Sequence, residues 1–263
     1  MPTARATAAK AGAIEVEAPE VHRFEIGILG KTASGYLQTA SGYLHAAMSQ
    51  KAQRELLLPR GRLNAAAKAA NLKHDPVKEF RDSVYRLADP DAPTLLATKA
   101  EMYKGAMMSA ALDLPGTSKA QIGRLVWVLG DYLPLWGTAH LQMDIVRSAD
   151  INRTPDIRTR AVSEQWGTIL TIEFVSKLIT QSSVLALLVG AGQMAGVGDY
   201  RPQKGKGTHG QFEVVDVDDP RLEEVMKYDR AYQVAAMEAA EPFDQRSAEL
   251  LDWYVEERQA RGK

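Results

Sequence analysis

The chain has no cysteine in its 263 residues, which removes disulfides, thiolate metal sites and thiol nucleophiles together. Such a chain suits a reducing compartment. Long apolar runs are missing too: none approaches the roughly 20 residues of a membrane-spanning helix. The opening MPTARATAAKAGAIEVEAPE lacks the apolar stretch of a secretory signal. A cytoplasmic protein with no membrane partner is expected. Histidines are few and scattered, at His22, His45, His74, His140 and His209, with no HxxxH pair and no acidic cluster beside them. No metal site or cofactor is therefore expected. No GxSxG elbow is present, and Asp150 and Asp156 read as solvated loop carboxylates rather than catalytic groups. His45 and Asp150 are the residues an RNA-processing enzyme would have to use, and on these residues the chain is not expected to be an enzyme.

What is present is an ordinary soluble composition, 45% hydrophobic and 25% charged, long enough to bury a sizeable core. The net charge of −1 conceals a division. From Glu213 onward fourteen acidic residues face seven basic ones, leaving the first 212 residues at +6. Lys51 to Lys73 carries six basic residues against Glu55 alone, and Arg147 to Arg160 carries four arginines against two aspartates. A polyanion would find several cationic segments in the body.

The densest functional signal is GAGQMAGVGDYRPQKGKGTHGQF, Gly190 to Phe212, with seven glycines plus Arg201, Lys204 and Lys206. So many glycines imply positive φ angles or close approach of the backbone to something. Basic residues among them suggest a phosphate chain. Two familiar phosphate cradles fail on context. Gly205-Lys206-Gly207-Thr208 lacks the P-loop spacing and leads into a strand, and a dinucleotide fold places its glycines after a strand and before a helix.

Hydrophobic periodicity predicts strands at Phe24–Ile28, Arg124–Leu129, Leu141–Arg147, Thr168–Val175 and Gln211–Val215. Helices are predicted over Ala46–Leu72, Ala100–Leu114 and Ser182–Val189. Pro76 to Pro93 reads as irregular, and SADINRTPDIRTRAVSEQ as a long polar connection. Residues 1–22 read as a flexible arm, 23–216 as the body, and 217–263 as an acidic helical hairpin whose first helix is capped by Asp219 with Pro220 next. The tandem TASGYLQ/TASGYLH at Thr32 to His45 reads as a duplication in a tolerant loop. The order of elements fits an α+β protein with a modified ferredoxin-like (RRM-like) core, βαββαβ, carrying insertions and the C-terminal hairpin.

The run SVLALLVGAGQMAGVGDYRPQKGKGTHGQFEVV, helix then glycine loop then strand, resembles the C-terminal signature of the RAMP superfamily, the ferredoxin-like RNA-binding proteins of CRISPR effector backbones. AEMYKGAMMSAA resembles the segment where that family opens a helix with a lysine-glycine pair, here Lys104 and Gly105. The family's serines before the lysine are replaced by Glu101-Met102-Tyr103, and Asp199-Tyr200-Arg201-Pro202 is also similar to a GDxRP-like stretch of uncharacterised phage-encoded proteins. The resemblance spans residues 24 to 216.

It implies a subunit that repeats along single-stranded RNA, or DNA, as a ribonucleoprotein or filament, with copies of itself and other effector-complex subunits as partners. The phosphate-binding candidates are Arg147, Arg153, Arg158, Arg160, Arg201, Lys204, Lys206 and Lys104. Gly196, Gly198, Gly205, Gly207 and Gly210 would let the backbone approach the ligand. Tyr36, Tyr43 and Tyr200 would stack bases, and Trp166 and Tyr103 suit either stacking or a core. A phage single-stranded DNA-binding or annealing protein and a scaffold without nucleic acid are the alternatives.

Overall fold

A computed structural model describes residues 18–31, 42–48, 74–147, 155–205 and 207–261. Strand β1 (Val21–Gly30) leads, followed by the short β2 (Tyr43–Leu44). Helix α1 (Pro76–Asp82) corrects the irregular reading of this region. Pro76 occupies the first helical turn, where a missing N–H costs nothing, and the Asp75 side chain accepts from Lys78 N–H. Next come β3 (Tyr85–Arg86), β4 (Leu96–Lys99), α2 (Ala100–Ala110) and α3 (Lys119–Leu125). Helix α3 takes the first part of the expected Arg124–Leu129 strand, leaving β5 (Val126–Val128).

Strands β6 (Tyr132–Pro134) and β7 (Trp136–Gly137) precede a long hairpin, β8 (His140–Arg147) and β9 (Pro155–Ser163). The second half of the polar connection is thus largely a strand. It pairs antiparallel with β8 from His140↔Val162 to Arg147↔Pro155. Then follow β10 (Trp166–Val175), α4 (Gln181–Gly190), β11 (Phe212–Val215), α5 (Pro220–Met226), α6 (Arg230–Ala239) and α7 (Gln245–Ala260). The expected helix over Ala46–Leu72, the first TASGYL copy, Asp150 and the Lys51–Lys73 cluster lie outside the described residues or almost entirely so.

The chain is α+β. All paired strands of its three sheets are antiparallel. The main sheet runs β11-β1-β10-β5, with β7 added beside β10. Its strand periodicity is clear in β10, where Leu170, Ile172 and Phe174 are buried while Thr171 and Glu173 are not. One face carries α2 and α4 over a core that includes Ile28, Tyr103, Met107, Trp166, Leu188 and Phe212. The other face receives α5. There Leu222 lies so close to the backbone that a Cβ on Gly27 or Gly167 would come within 2.7 or 2.6 Å of it. Helix α5 therefore occupies part of the sheet surface that a bare sheet would offer a ligand.

The acidic tail is three helices rather than a hairpin, and they are built into the body. Gln233 of α6 is fully buried and bonds four backbone groups of the body. Residues 241–243 lie along the edge of β8, with Leu141 N–H donating to Glu241 O and Phe243 N–H to Leu141 O. The Ser247 hydroxyl accepts from Met143 N–H, so this edge is capped rather than open. Among the described residues no helix is long and apolar enough to cross a membrane.

Candidate nucleic-acid interface

The glycine segment starts where α4 passes into a single π-helical turn, Ala191–Ala195, that ends at Gly196 with φ +68°. A side chain at Gly192 would overlap the Phe212 carbonyl, so glycine here lets β11 return against the turn. The loop then closes on itself and on the second copy of the tandem repeat. Val197 N–H donates to Gly210 O at 2.9 Å, Asp199 N–H to Leu44 O at 2.9 Å, and Gly210 N–H to Gly42 O at 3.1 Å.

This corrects the expectation that the glycines serve a ligand. A Cβ on Gly207 would overlap the Tyr200 carbonyl, one on Gly210 the Val197 carbonyl, and one on Gly198 would lie 2.8 Å from Leu44 O. Gly196 is hemmed in by Pro202 and His209 O. The close approach is therefore to the protein's own backbone. Gly205, at φ +101° with open space beside it, is the exception among the five.

The loop meets the hairpin through one ionic cluster. Arg160, on β9, places its guanidinium 2.6 Å from Asp199 Oδ2 and 3.0 Å from Asp144 Oδ2, and Lys204 Nζ lies 3.8 Å from Asp199 Oδ1. Burial works to raise the Asp199 pKa, but the Tyr200 backbone N–H and the Arg160 charge outweigh it and hold the carboxyl below its ordinary range. His209, pushed down by burial, sets its Nδ1 3.1 Å from Gly42 O and stays neutral near pH 7. The sequence-predicted meeting of the two arginine- and lysine-bearing segments thus occurs, yet it consumes Arg160. With its side chain 10% exposed and two carboxylates against it, Arg160 is a strut rather than a free phosphate ligand.

The other predicted residues divide. Arg147 and Arg158 are exposed near the hairpin tip, and neither makes an ion pair among the described residues. The register sets them on opposite faces: Arg158 stands across from Asp144 and shares the face of Arg160, whereas Arg147 lies on the face of Ile145 and Met143. Arg201 is half-buried, with its guanidinium donating to Gly198 O at 2.8 Å and to Gln203 Oε1 at 3.0 Å. Lys104 is not beside the loop. Its ammonium lies 5.7 Å above the Trp127 ring on the sheet edge. Arg153, Lys206 and Tyr36 lie outside the described residues.

Among the aromatic candidates, Tyr200 is 50% exposed and holds a strained positive φ of 48°. Tyr43 is not available for stacking. It is buried against Trp166 and His45, its hydroxyl lies 3.2 Å from Thr98 Oγ1, and burial pushes its pKa up to about 12. Trp166 and Tyr103 are likewise core residues. His45 is buried beside Ser163, with its pKa driven down to about 3 by desolvation.

Sequence reasoning missed the feature that brings α2 and the loop together. A cleft of about 370 Å³ runs between them, lined by Glu101, Gly105, Ser109, Lys119, Arg201 and Gln203 among others. Gln203 Nε2 donates across it to Ser109 Oγ at 2.6 Å. Gly105 faces open space, so the cleft floor carries no side chain there. The signal was the glycine one position past Lys104, whose free side only the fold reveals. Arg201 and Lys119 leave the cleft cationic apart from Glu101, which suits an anion. No protein-family model matches the chain, and no curated protein matches it.

Proposed function

We propose that this chain binds single-stranded nucleic acid, RNA in preference to DNA, through the sugar-phosphate backbone, without sequence selection or catalysis, as a repeating subunit of a CRISPR-like ribonucleoprotein. The observation that carries the reading is one cationic cleft between α2, Lys119 at the start of α3 and the glycine loop with Arg201, while the hairpin that bears Arg158 is locked to that loop by Arg160 and Asp199.

The core supports it further. Taking β1, α2, β5, β10, α4 and β11 in chain order gives βαββαβ. The sheet order is then fourth, first, third, second, all antiparallel, which supports reading the core as ferredoxin-like. The hairpin is an insertion between its second and third strands. Strands β11 and β5 end the sheet, each paired on one side among the described residues, which suits strand sharing between copies.

Binding of this kind releases counterions, so affinity falls steeply with salt. Replacing Arg158, Arg201 and Lys119 together with glutamine should make the log affinity against log salt slope shallower by about 2, equally for unrelated sequences. Filter binding with RNA and DNA of one sequence reads both this and the role of the 2′-hydroxyl. Tighter DNA binding would favour the annealing-protein reading. No salt-sensitive binding of either polymer would leave a scaffold protein and overturn the proposal.

A further inference from the structure

A groove of about 910 Å³ lies away from the glycine loop and is lined by Lys78, Arg81, Asp82, Tyr85, Tyr132 and Arg258 among others. Its wall is the small sheet β3-β4-β6. The register pairs Tyr85 with Ala97 and Lys99 with Tyr132, so Tyr85, Lys99 and Tyr132 share one face. The two tyrosine rings lie 5.7 Å apart, tilted by 46°, and the Lys99 ammonium sits 5.2 Å from the Tyr85 centroid. Tyr132 is 46% exposed. Two aromatic rings at an open surface are poorly explained by core packing, because neither is enclosed.

The chemistry narrows the ligand. The protein already supplies the cation for these rings in Lys99, and the groove lining adds Lys78, Arg81, Arg86 and Arg258 against Asp75 and Asp82. A cationic ligand is therefore disfavoured. What fits a flat π surface bordered by positive charge is a flat group carried on an anion, which is the description of a nucleotide. An ion pair links the platform to the cleft beside the glycine loop. Lys99 bonds Glu101 Oε1 at 2.9 Å, and Glu101 lines that cleft. The platform and the cleft thus flank the first turn of α2.

We infer that Tyr85 and Tyr132 form a base-stacking platform for an unpaired nucleotide of the strand whose phosphates run through the cleft. The inference rests on the nucleic-acid reading above and adds to it a contact with the bases. The test is fluorescence anisotropy with two labelled probes, an oligouridylate and an abasic phosphodiester of equal length. Tyr132→Leu should weaken the oligouridylate about tenfold, a typical loss for one stacked base, and leave the abasic polymer unchanged. Tyr132→Phe, which keeps the ring, should bind as the parent does.

An unchanged oligouridylate affinity in Tyr132→Leu would overturn the platform, as would an equal loss on the abasic polymer. Should Tyr132→Leu prove misfolded by melting, Lys99→Gln and Arg86→Gln decide the matter: a greater loss on the oligouridylate than on the abasic polymer supports the platform, and any other outcome removes it. If Arg158, Arg201 and Lys119 matter while Tyr132 does not, the platform alone fails. If neither probe binds the parent, both readings fail.

Discussion

Gln233 gives the sharpest test of whether the acidic tail is part of the domain. Its Oε1 accepts from Leu95 N–H and Leu96 N–H at 2.9 Å each, and its Nε2 donates to Leu135 O and Gly137 O at 2.8 Å each. The amide thus spends its full donor capacity and both acceptor lone pairs on backbone at the start of β4 and in and just before β7. Changing Gln233 to alanine leaves those four groups without this partner in a fully buried site. At about 1 kcal/mol net per bond the loss is about 4 kcal/mol, and recovered side-chain freedom offsets about 1 to 2 of it. A net cost of about 3 kcal/mol would lower the melting temperature by roughly 6–12 °C in a domain of this size. Gln233→Glu adds a control of nearly equal volume. A carboxylate would face two carbonyl oxygens, so it should cost at least as much as alanine although no cavity forms. Calorimetry on both variants checks the argument. An alanine variant melting within about 2 °C of the parent would show that α6 is a detachable appendage, and the integrated fold described above would be wrong.

Two further predictions follow from the buried histidines and the loop. His45 is held neutral, its pKa driven to about 3 by burial, while the unfolded chain protonates near 6.5. Stability is therefore fully present above pH 6.5 and lost as pH falls through the window down to about 3, by about 2 kcal/mol at pH 5. His209 shifts in the same direction. Urea unfolding at pH 7 and 5 should show this loss, and His45→Gln should remove much of it; a pH-independent parent would refute it. Gly210→Ala, at φ +72° and against the Val197 carbonyl, should cost more than about 3 kcal/mol, whereas Gly205→Ala, with only φ strain at +101°, should cost about 1. Equal melting points for the two would show that the loop is not closed on itself.

Much of the fold was legible where burial follows a simple period. Leu170, Ile172 and Phe174 announce β10, and Asp219-Pro220 announces α5, because each signal is local. Pro76 misled because the same residue that breaks a helix also starts one, and only the Asp75 cap distinguishes the cases. Strand β9 was hidden by its arginines. The alternation of Ile157, Thr159 and Ala161 with Arg158 and Arg160 was present, but a half-exposed hairpin strand looks as polar as a loop. The site was legible in outline only. Seven glycines do reveal that a backbone must be approached closely, but not that the approaching group is Tyr200 O, Val197 O or Leu44 O of the same chain. Nor does counting arginines show that Arg160 is neutralised by carboxylates 16 and 39 positions away.

That neutralisation reshapes the electrostatic argument for function. Arg160, Asp144, Asp199 and Lys204 form a cluster whose formal charges cancel, so the cluster itself contributes little field to attract a polyanion. What it contributes is geometry, since the loop cannot separate from the hairpin without exposing two carboxylates to an unpaired, largely buried guanidinium. The attraction must then come from Arg158, Arg147, Arg201 and Lys119, which stand on different elements and, for the first two, on opposite faces of one hairpin. Charges dispersed in this way cannot grip one phosphate strongly. They suit a long polymer that touches each weakly, and weak contact per subunit is tolerable where many subunits line one strand and each bound copy raises the effective concentration of the next. On this reasoning a single substitution such as Arg158→Gln should lower affinity only a fewfold for one subunit on a short oligonucleotide. The same substitution in every copy along a long strand should lower it far more, because the loss multiplies with copy number. Titrating the variant against oligonucleotides of increasing length separates the two cases. A loss that stays constant with length would mean that the charges serve one compact ligand, and the repeating-subunit reading would fall with it.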